Sequence, residues 1–224
     1  PLGQVPGHDV NYQSWAGVLD PPHLPKPPIA DLAGGAYAAF AVCAALVRGR
    51  GEVIDVSMTD VLASWTGAVP PVTFADGQPL GGRVAGYGLY ATADGGWVSL
   101  GVLSEDHLWA ALATTLGLDD VADLDFRQRT DRCQELEARL TSAVAAADRD
   151  DLVDRLQAAG VPVAPVLEQA EVLAADTFRQ RGLVVDGPAM THPLRYRDHA
   201  AEQLTDPPPL VEGPDALPTW RSRA

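Results

Sequence analysis

The chain has 224 residues, 46% hydrophobic and 21% charged, a balance that supports a folded core and excludes a disordered or fibrous chain. Asp and Glu number 30 against 16 Lys and Arg; the formal charge of −14 argues against an electrostatic footprint for nucleic acid or an anionic membrane. Cys43 and Cys133 stand far apart with no CxxC or histidine neighbour at ligand spacing, so they give neither a disulfide framework nor a metal site and read as buried thiols.

Pro1 to Asp9 lacks the basic and apolar regions of a signal peptide, and no unbroken apolar run of about 18 residues is visible, so the chain reads as soluble and cytoplasmic, with no membrane partner. Residue 1 stands directly before a motif-dense stretch, without a start methionine, which is how a fragment begins. After a proline-laden loop (Pro21, Pro22, Pro25, Pro27, Pro28), the alanine-rich run Ala30–Val47 predicts a buried helix beginning near Asp31, with Asp31 as its N-cap. Gly34 and Gly35 inside that helix each cost about 1 kcal/mol relative to alanine, so a close approach by a ligand or another backbone is expected there.

Beyond the turn at Gly49–Gly51, Glu52–Val56 alternates like a strand, and Ser57 is placed to cap a second helix, Met58–Trp65. Pro70 to Gly82 reads as a linker. Tyr87–Ala93 and Trp97–Val102, joined through Asp94-Gly95-Gly96, predict a β-hairpin. Three amphipathic helices are expected over Glu105–Leu116, Asp131–Ala147 and Asp150–Ala159, the last capped by Asp148 and stopped by Gly160. Val161–Val166 reads as an extended sheet edge, because its prolines lack donors, and Glu168–Ala175 as a short helix. From Leu183 the chain is loop-like and ends in the stiff run Asp206–Pro209. The expected fold class is α/β: residues 1–75 as part of a large α/β domain, 76–182 as a small α+β domain, and 183–224 as a tail returning to the first.

Two polar groups stand out for chemistry. His8 lies in a loop where Gly7 permits close backbone approach and Asp9, Asn11 and Tyr12 crowd polar groups together. Asp31 has a simple capping explanation, but a carboxylate at a helix start is also able to transfer protons. Ser104, as the cap of a helix with Glu105 and Asp106 in its first turn, has a sufficient structural reason through the macrodipole. Tyr87 and Tyr90 sit on the first hairpin strand and are candidates to line a ligand channel, although packing alone places aromatics there. Trp109, on an apolar helix face, reads as core; His23, His192 and His199 have no partners at recognisable spacing.

Five segments in order, GHDVNY (7–12), ADLAGG (30–35), GRGEVIDVSM (49–58), the YxxYxTxDGGWVSLG hairpin (87–101) and GVPVAPVL (160–167), resemble the signatures of the family III CoA-transferase superfamily of CaiB/BaiF type. The first is similar to the α-methylacyl-CoA racemase branch. That resemblance implies a two-base racemase or epimerase of 2-methylacyl-CoA thioesters with His8 and Asp31 as the acid/base pair, and with Glu105, aligned after a one-residue insertion, as the histidine's partner. Asp9, Asn11, Tyr12, Gly34, Gly35 and Tyr87 then line the substrate site. The resemblance implies no metal or redox cofactor, CoA entering as part of the substrate. It also implies an interlocked homodimer, and an N-terminal nucleotide-fold half ahead of GHDVNY, for which a separate polypeptide is one source.

The chemistry explains the pair: inversion next to a thioester removes a proton from one face and returns one to the other through an enolate, whose oxyanion needs a preorganised donor such as the Asp9 N–H. Two other readings fit the same motifs. One is CoA transfer between carboxylic acids with Asp31 as nucleophile; the other is a non-catalytic assembly subunit that keeps the fold while another chain does the chemistry.

Overall fold

The computed structural model describes residues 5–67 and 84–184, together with Pro193. The expected linker at Pro70–Gly82, His192, His199 and the tail with Asp206–Pro209 lie outside the described residues. The chain divides into two compact units, residues 1–82 and 83–224, each taken by itself.

The first unit contains α1 (Asp9–Ala16), α2 (Ile29–Arg48) and α3 (Met58–Gly67). Its core is small: Ala16, Ala30, Ala33, Val61 and Leu62, packed about by Tyr12, Val18, Ile29, Val56 and Met58. Short side chains let the helices approach closely, and Ser57 caps α3 as expected, its Oγ accepting the Asp60 N–H at 3.2 Å.

Four expectations are corrected. Glu52–Val56 forms no strand: it has no ladder partner among the described residues, and Val53 is fully exposed. Helix α2 is not a buried helix in this unit, since only Ala30, Ala33 and Gly34 are buried, while Phe40, Leu46 and Val47 are at least 74% exposed. Cys43, on the same uncovered stretch, is exposed, and Cys133 is half-buried, so neither is the buried thiol expected. The 20-residue α2 is also long and apolar enough to cross a membrane by length and composition, because its alanines and glycines do not interrupt an apolar run; core helices of soluble proteins pass the same test.

The second unit is built on the expected hairpin. Strand β1 (Tyr87–Ala91) pairs antiparallel with β2 (Trp97–Gly101), and β2 pairs antiparallel with β3 (Val163–Pro165), giving the order β1-β2-β3 with the proline-bearing strand at the edge. Asp94 makes the turn: its carboxylate accepts from the Thr92 hydroxyl and the Gly96 N–H, and Gly95 takes the left-handed conformation at φ 81°. The inner sheet face (Tyr90, Val98, Leu100) packs with Trp109, Leu112, Leu136, Leu140, Leu152 and Leu156 into one apolar core.

Helices α4 (Asp106–Thr115), α5 (Phe126–Asp131), α6 (Cys133–Val144) and α7 (Arg149–Ala158) supply those side chains, followed by α8 (Gln169–Ala174) and α9 (Asp176–Gln180). Helix α5 was not anticipated; its local signal is the capping box in which Asp125 accepts the Gln128 N–H and Gln128 accepts the Asp125 N–H. Gly160 ends α7 at φ 77° as expected, whereas the Asp148 side chain caps nothing: the Arg149 N–H is taken by Asp94 Oδ2, 55 residues away in sequence.

Candidate active site

The His8 loop is held by its own neighbours. His8 occupies the N-cap position of α1 in extended conformation and is exposed; its backbone N–H donates to Asn11 Oδ1 at 3.0 Å. The Tyr12 hydroxyl donates to the Gly7 carbonyl at 2.9 Å, and the Tyr12 ring lies so close that a Cβ on Gly7 would meet it at 3.0 Å. Glycine at position 7 is therefore a matter of space. Asn11 and Tyr12, expected to line the substrate site, here brace the loop that presents His8.

Asp9 joins this loop to α2. Its Oδ1 accepts the Ala30 N–H at 2.7 Å and the Asp31 N–H at 3.2 Å, while Oδ2 accepts from Gln13 Nε2. The first N–H groups of a helix have no intrahelical acceptor, and an anionic acceptor complements the macrodipole there. Asp31 is thus not the N-cap of α2; Pro28 holds that position and the capping carboxylate comes from Asp9, 22 residues before Asp31. Relieved of capping, the Asp31 side chain sits in the first turn, exposed, with no hydrogen-bond or ion-pair partner among the described residues. The Asp9 N–H, at the first position of α1, likewise has no acceptor among the described residues.

The paired glycines separate in role. A Cβ on Gly34 would lie 2.5 Å from Met58 Cγ, so the packing of α2 against α3 is itself a reason for glycine there. Gly35 is exposed with nothing within 4 Å of where its Cβ would be. Of the two, Gly35 alone leaves open surface one turn beyond Asp31.

Glu105 belongs to the other unit. It is the N-cap of α4, the position expected for Ser104, and its Oε2 accepts the Leu103 N–H at 3.2 Å. The loop that carries it is anchored by a residue the sequence reading missed. Arg129 is fully buried, donating from Nη1 to the Leu103 carbonyl and from Nη2 to Asp106 Oδ1, both at 2.9 Å, and lying 5.3 Å and 5.4 Å from the ring centres of Trp109 and Phe126. No local sequence pattern marks this; an arginine on the short helix α5 reads as a surface residue.

Tyr87 and Tyr90 lie on opposite sheet faces. Tyr90 is buried, donates to Glu137 Oε1 at 2.7 Å and accepts the Gly86 N–H at 3.1 Å; burial, reinforced by that carboxylate, holds its hydroxyl well above the ordinary tyrosine range. It is a structural residue. Tyr87 is 61% exposed and, with Leu89, Ser99, Gly101, Pro162 and Ala164, borders an open depression of about 650 Å³ on the outer sheet face. Among the described residues, no group of three or more His, Cys, Asp or Glu side chains is arranged to hold a metal ion.

Comparison with known proteins bears on this arrangement. Residues 1–214 match the family profile described as CoA-transferase family III. The chain is 27% identical over 239 residues to α-methylacyl-CoA racemase of Mus musculus, covering 97% of this chain and 59% of that protein. It is 26% identical over 210 residues to acetyl-CoA:oxalate CoA-transferase of Acetobacter aceti, covering 83% of this chain and 53% of that one. The chain therefore spans a little over half the length of both. Among solved structures, a hypothetical protein from Mycobacterium tuberculosis superposes with a TM-score of 0.76 at 24% identity, covering 97% of this chain and 64% of its own. A CAIB/BAIF family protein from Brucella suis superposes at 0.70 and 23% identity, covering 90% and 59%.

Proposed function

The chain belongs to CoA-transferase family III, and from that premise we propose that the complete protein racemises or epimerises a 2-methylacyl-CoA thioester, with His8 and Asp31 as its two acid/base groups. The observation that carries the reading is the Asp9 bridge: the residue directly after His8 hydrogen-bonds the backbone of Asp31, bringing the two segments to one place. One group takes the α-proton from one face of the substrate. The other returns a proton to the opposite face, and the Asp9 N–H is a candidate donor to the enolate oxygen between the two steps. The similarity to the mouse racemase supports this choice within the family. We assign Glu105 as a supporting residue for His8, and a second copy of this chain as partner.

A second reading has its own support. An exposed Asp31 carboxylate with no partner among the described residues is also what a nucleophile requires, and one relative is named for CoA transfer to oxalate. In that reaction the carboxylate attacks the thioester carbonyl to form a mixed anhydride and expel CoA thiolate. The thiolate then attacks the Asp31 carbonyl, releasing the first acid and leaving CoA on Asp31.

Incubating the intact protein with a chiral 2-methylacyl-CoA in deuterated water separates the two. Racemisation incorporates deuterium at the α-carbon, and both His8→Ala and Asp31→Asn abolish it. If CoA instead moves to an added carboxylate without α-exchange, and His8→Ala retains that activity while Asp31→Asn loses it, the racemase reading fails.

A further inference from the structure

We propose that Asp9 is a positioning residue held in place by Gln13, and that this clamp, rather than the helix start alone, sets where Asp31 stands relative to His8. The inference rests on the reading of Asp31 as an active-site residue. It goes beyond that reading by giving a role to two side chains that need not touch substrate.

Three observations converge. Asp9 Oδ1 accepts both the Ala30 and the Asp31 N–H, and the N-cap position of α2 is a proline with no side-chain acceptor to offer them, so this carboxylate is the cap of α2. The cap arrives from the first residue of α1, directly after His8, so the bond that completes α2 also ties it to the His8 loop. Gln13, one turn along α1, is only 1% exposed beside an otherwise apolar core, and donates Nε2 to Asp9 Oδ2 while its Oε1 is buried with no partner among the described residues.

An apolar residue at position 13 would avoid leaving an acceptor unsatisfied in the core, so packing alone gives no reason for the amide. What the amide supplies is the second half of a fixed carboxylate: with Oδ2 engaged by Gln13, Oδ1 is turned toward the α2 backbone. Bonds to a charged acceptor are shorter and stronger than neutral ones, which suits a joint that must not drift. Proton transfer is sensitive to such drift, a displacement of about 1 Å costing about 10²-fold in rate.

The test uses the intact protein and the variants Asp9→Ala, Asp9→Asn and Gln13→Leu, with two readouts. The first is amide hydrogen exchange at Ala30 and Asp31. The second is kcat and KM for α-deuterium exchange of a 2-methylacyl-CoA. Asp9→Ala should speed exchange of those two amides at least about tenfold and lower kcat by about 10²-fold with KM changed less than about twofold. Asp9→Asn, which keeps an acceptor, should recover most of both. Gln13→Leu separates positioning from stability: kcat should fall while the Tm holds or rises, because the unpaired amide is gone.

Unchanged kcat in Asp9→Ala and Gln13→Leu, or losses that follow the fall in Tm across all three variants, would overturn the proposal. If the parent protein transfers CoA without α-exchange, the racemase reading fails while the clamp is scored on transfer rate, since Asp31 serves both reactions. If it does neither, unchanged protection of Ala30 and Asp31 in Asp9→Ala decides against the clamp.

Discussion

Replacing Arg129 probes the anchor of the Glu105 loop. Arg129 is fully buried, and its head group meets the Leu103 carbonyl, Asp106 and the Trp109 and Phe126 rings. Arg129→Met keeps most of the aliphatic stem and removes only the guanidinium. Fully buried ion pairs cost about 3–5 kcal/mol to break, but the Asp106 side chain is 56% exposed and regains water, so that range is an upper bound. The Leu103 carbonyl loses its donor, at about 1 kcal/mol because Leu103 is itself 39% exposed, and the two ring contacts add about 1 kcal/mol. With the solvated Asp106 carboxylate contributing little, the remaining two contributions give about 2 kcal/mol for Arg129→Met, and the cavity raises this to about 4 kcal/mol for Arg129→Ala. Urea unfolding followed by tryptophan fluorescence reads the difference. A methionine variant within about 0.5 kcal/mol of the parent would refute the assignment, because buried charge replaced by apolar volume is neutral only where no partner is left unsatisfied.

Four further outcomes follow from particular contacts. Gly34→Ala should destabilise by about 1–2 kcal/mol despite the better helix former, since its methyl runs into Met58; Gly35→Ala, with open space, should stabilise by up to about 1 kcal/mol, both read by thermal unfolding. If the acyl-CoA lies against Gly35, that same variant raises KM. Tyr90→Phe should cost about 1–2 kcal/mol in urea by removing the hydroxyl shared by Glu137 and Gly86. The Thr92 hydroxyl, then the Arg149 and Gly96 N–H groups, hold the Asp94 carboxyl below its ordinary value, so its contribution to stability is present above the unfolded-state pKa and is lost as pH falls through the lower folded one. The Tm gap between parent and Asp94→Asn should therefore be full at pH 7 and close in acid; a gap that widens on acidification contradicts the reasoning.

Much of this molecule was legible in the chain because the deciding forces are local. Alternation about Asp94-Gly95-Gly96 specified the hairpin, Gly160 the end of α7, and apolar spacing the face of Trp109, each a matter of dihedral preference or periodicity within a few residues. The motifs around His8 and Asp31 pointed to the family with no help from the fold. Capping was misread in three places, and in two of them for one reason. Asp31 and Asp148 looked like caps because each precedes or opens a helix, yet the carboxylates that do the work, Asp9 and Asp94, are 21 and 55 residues distant from the N–H groups they bind.

The sequence by itself therefore determined most of the elements, the family and the residue types available for acid/base chemistry. Only the tertiary structure decided which aspartate caps and which is left exposed, that Gly34 answers to Met58 while Gly35 faces open space, and that a buried arginine steadies the Glu105 loop. The physical reason is range: propensity and periodicity act over a few residues, whereas a hydrogen bond forms wherever folding places donor and acceptor about 3 Å apart, whatever their separation along the chain.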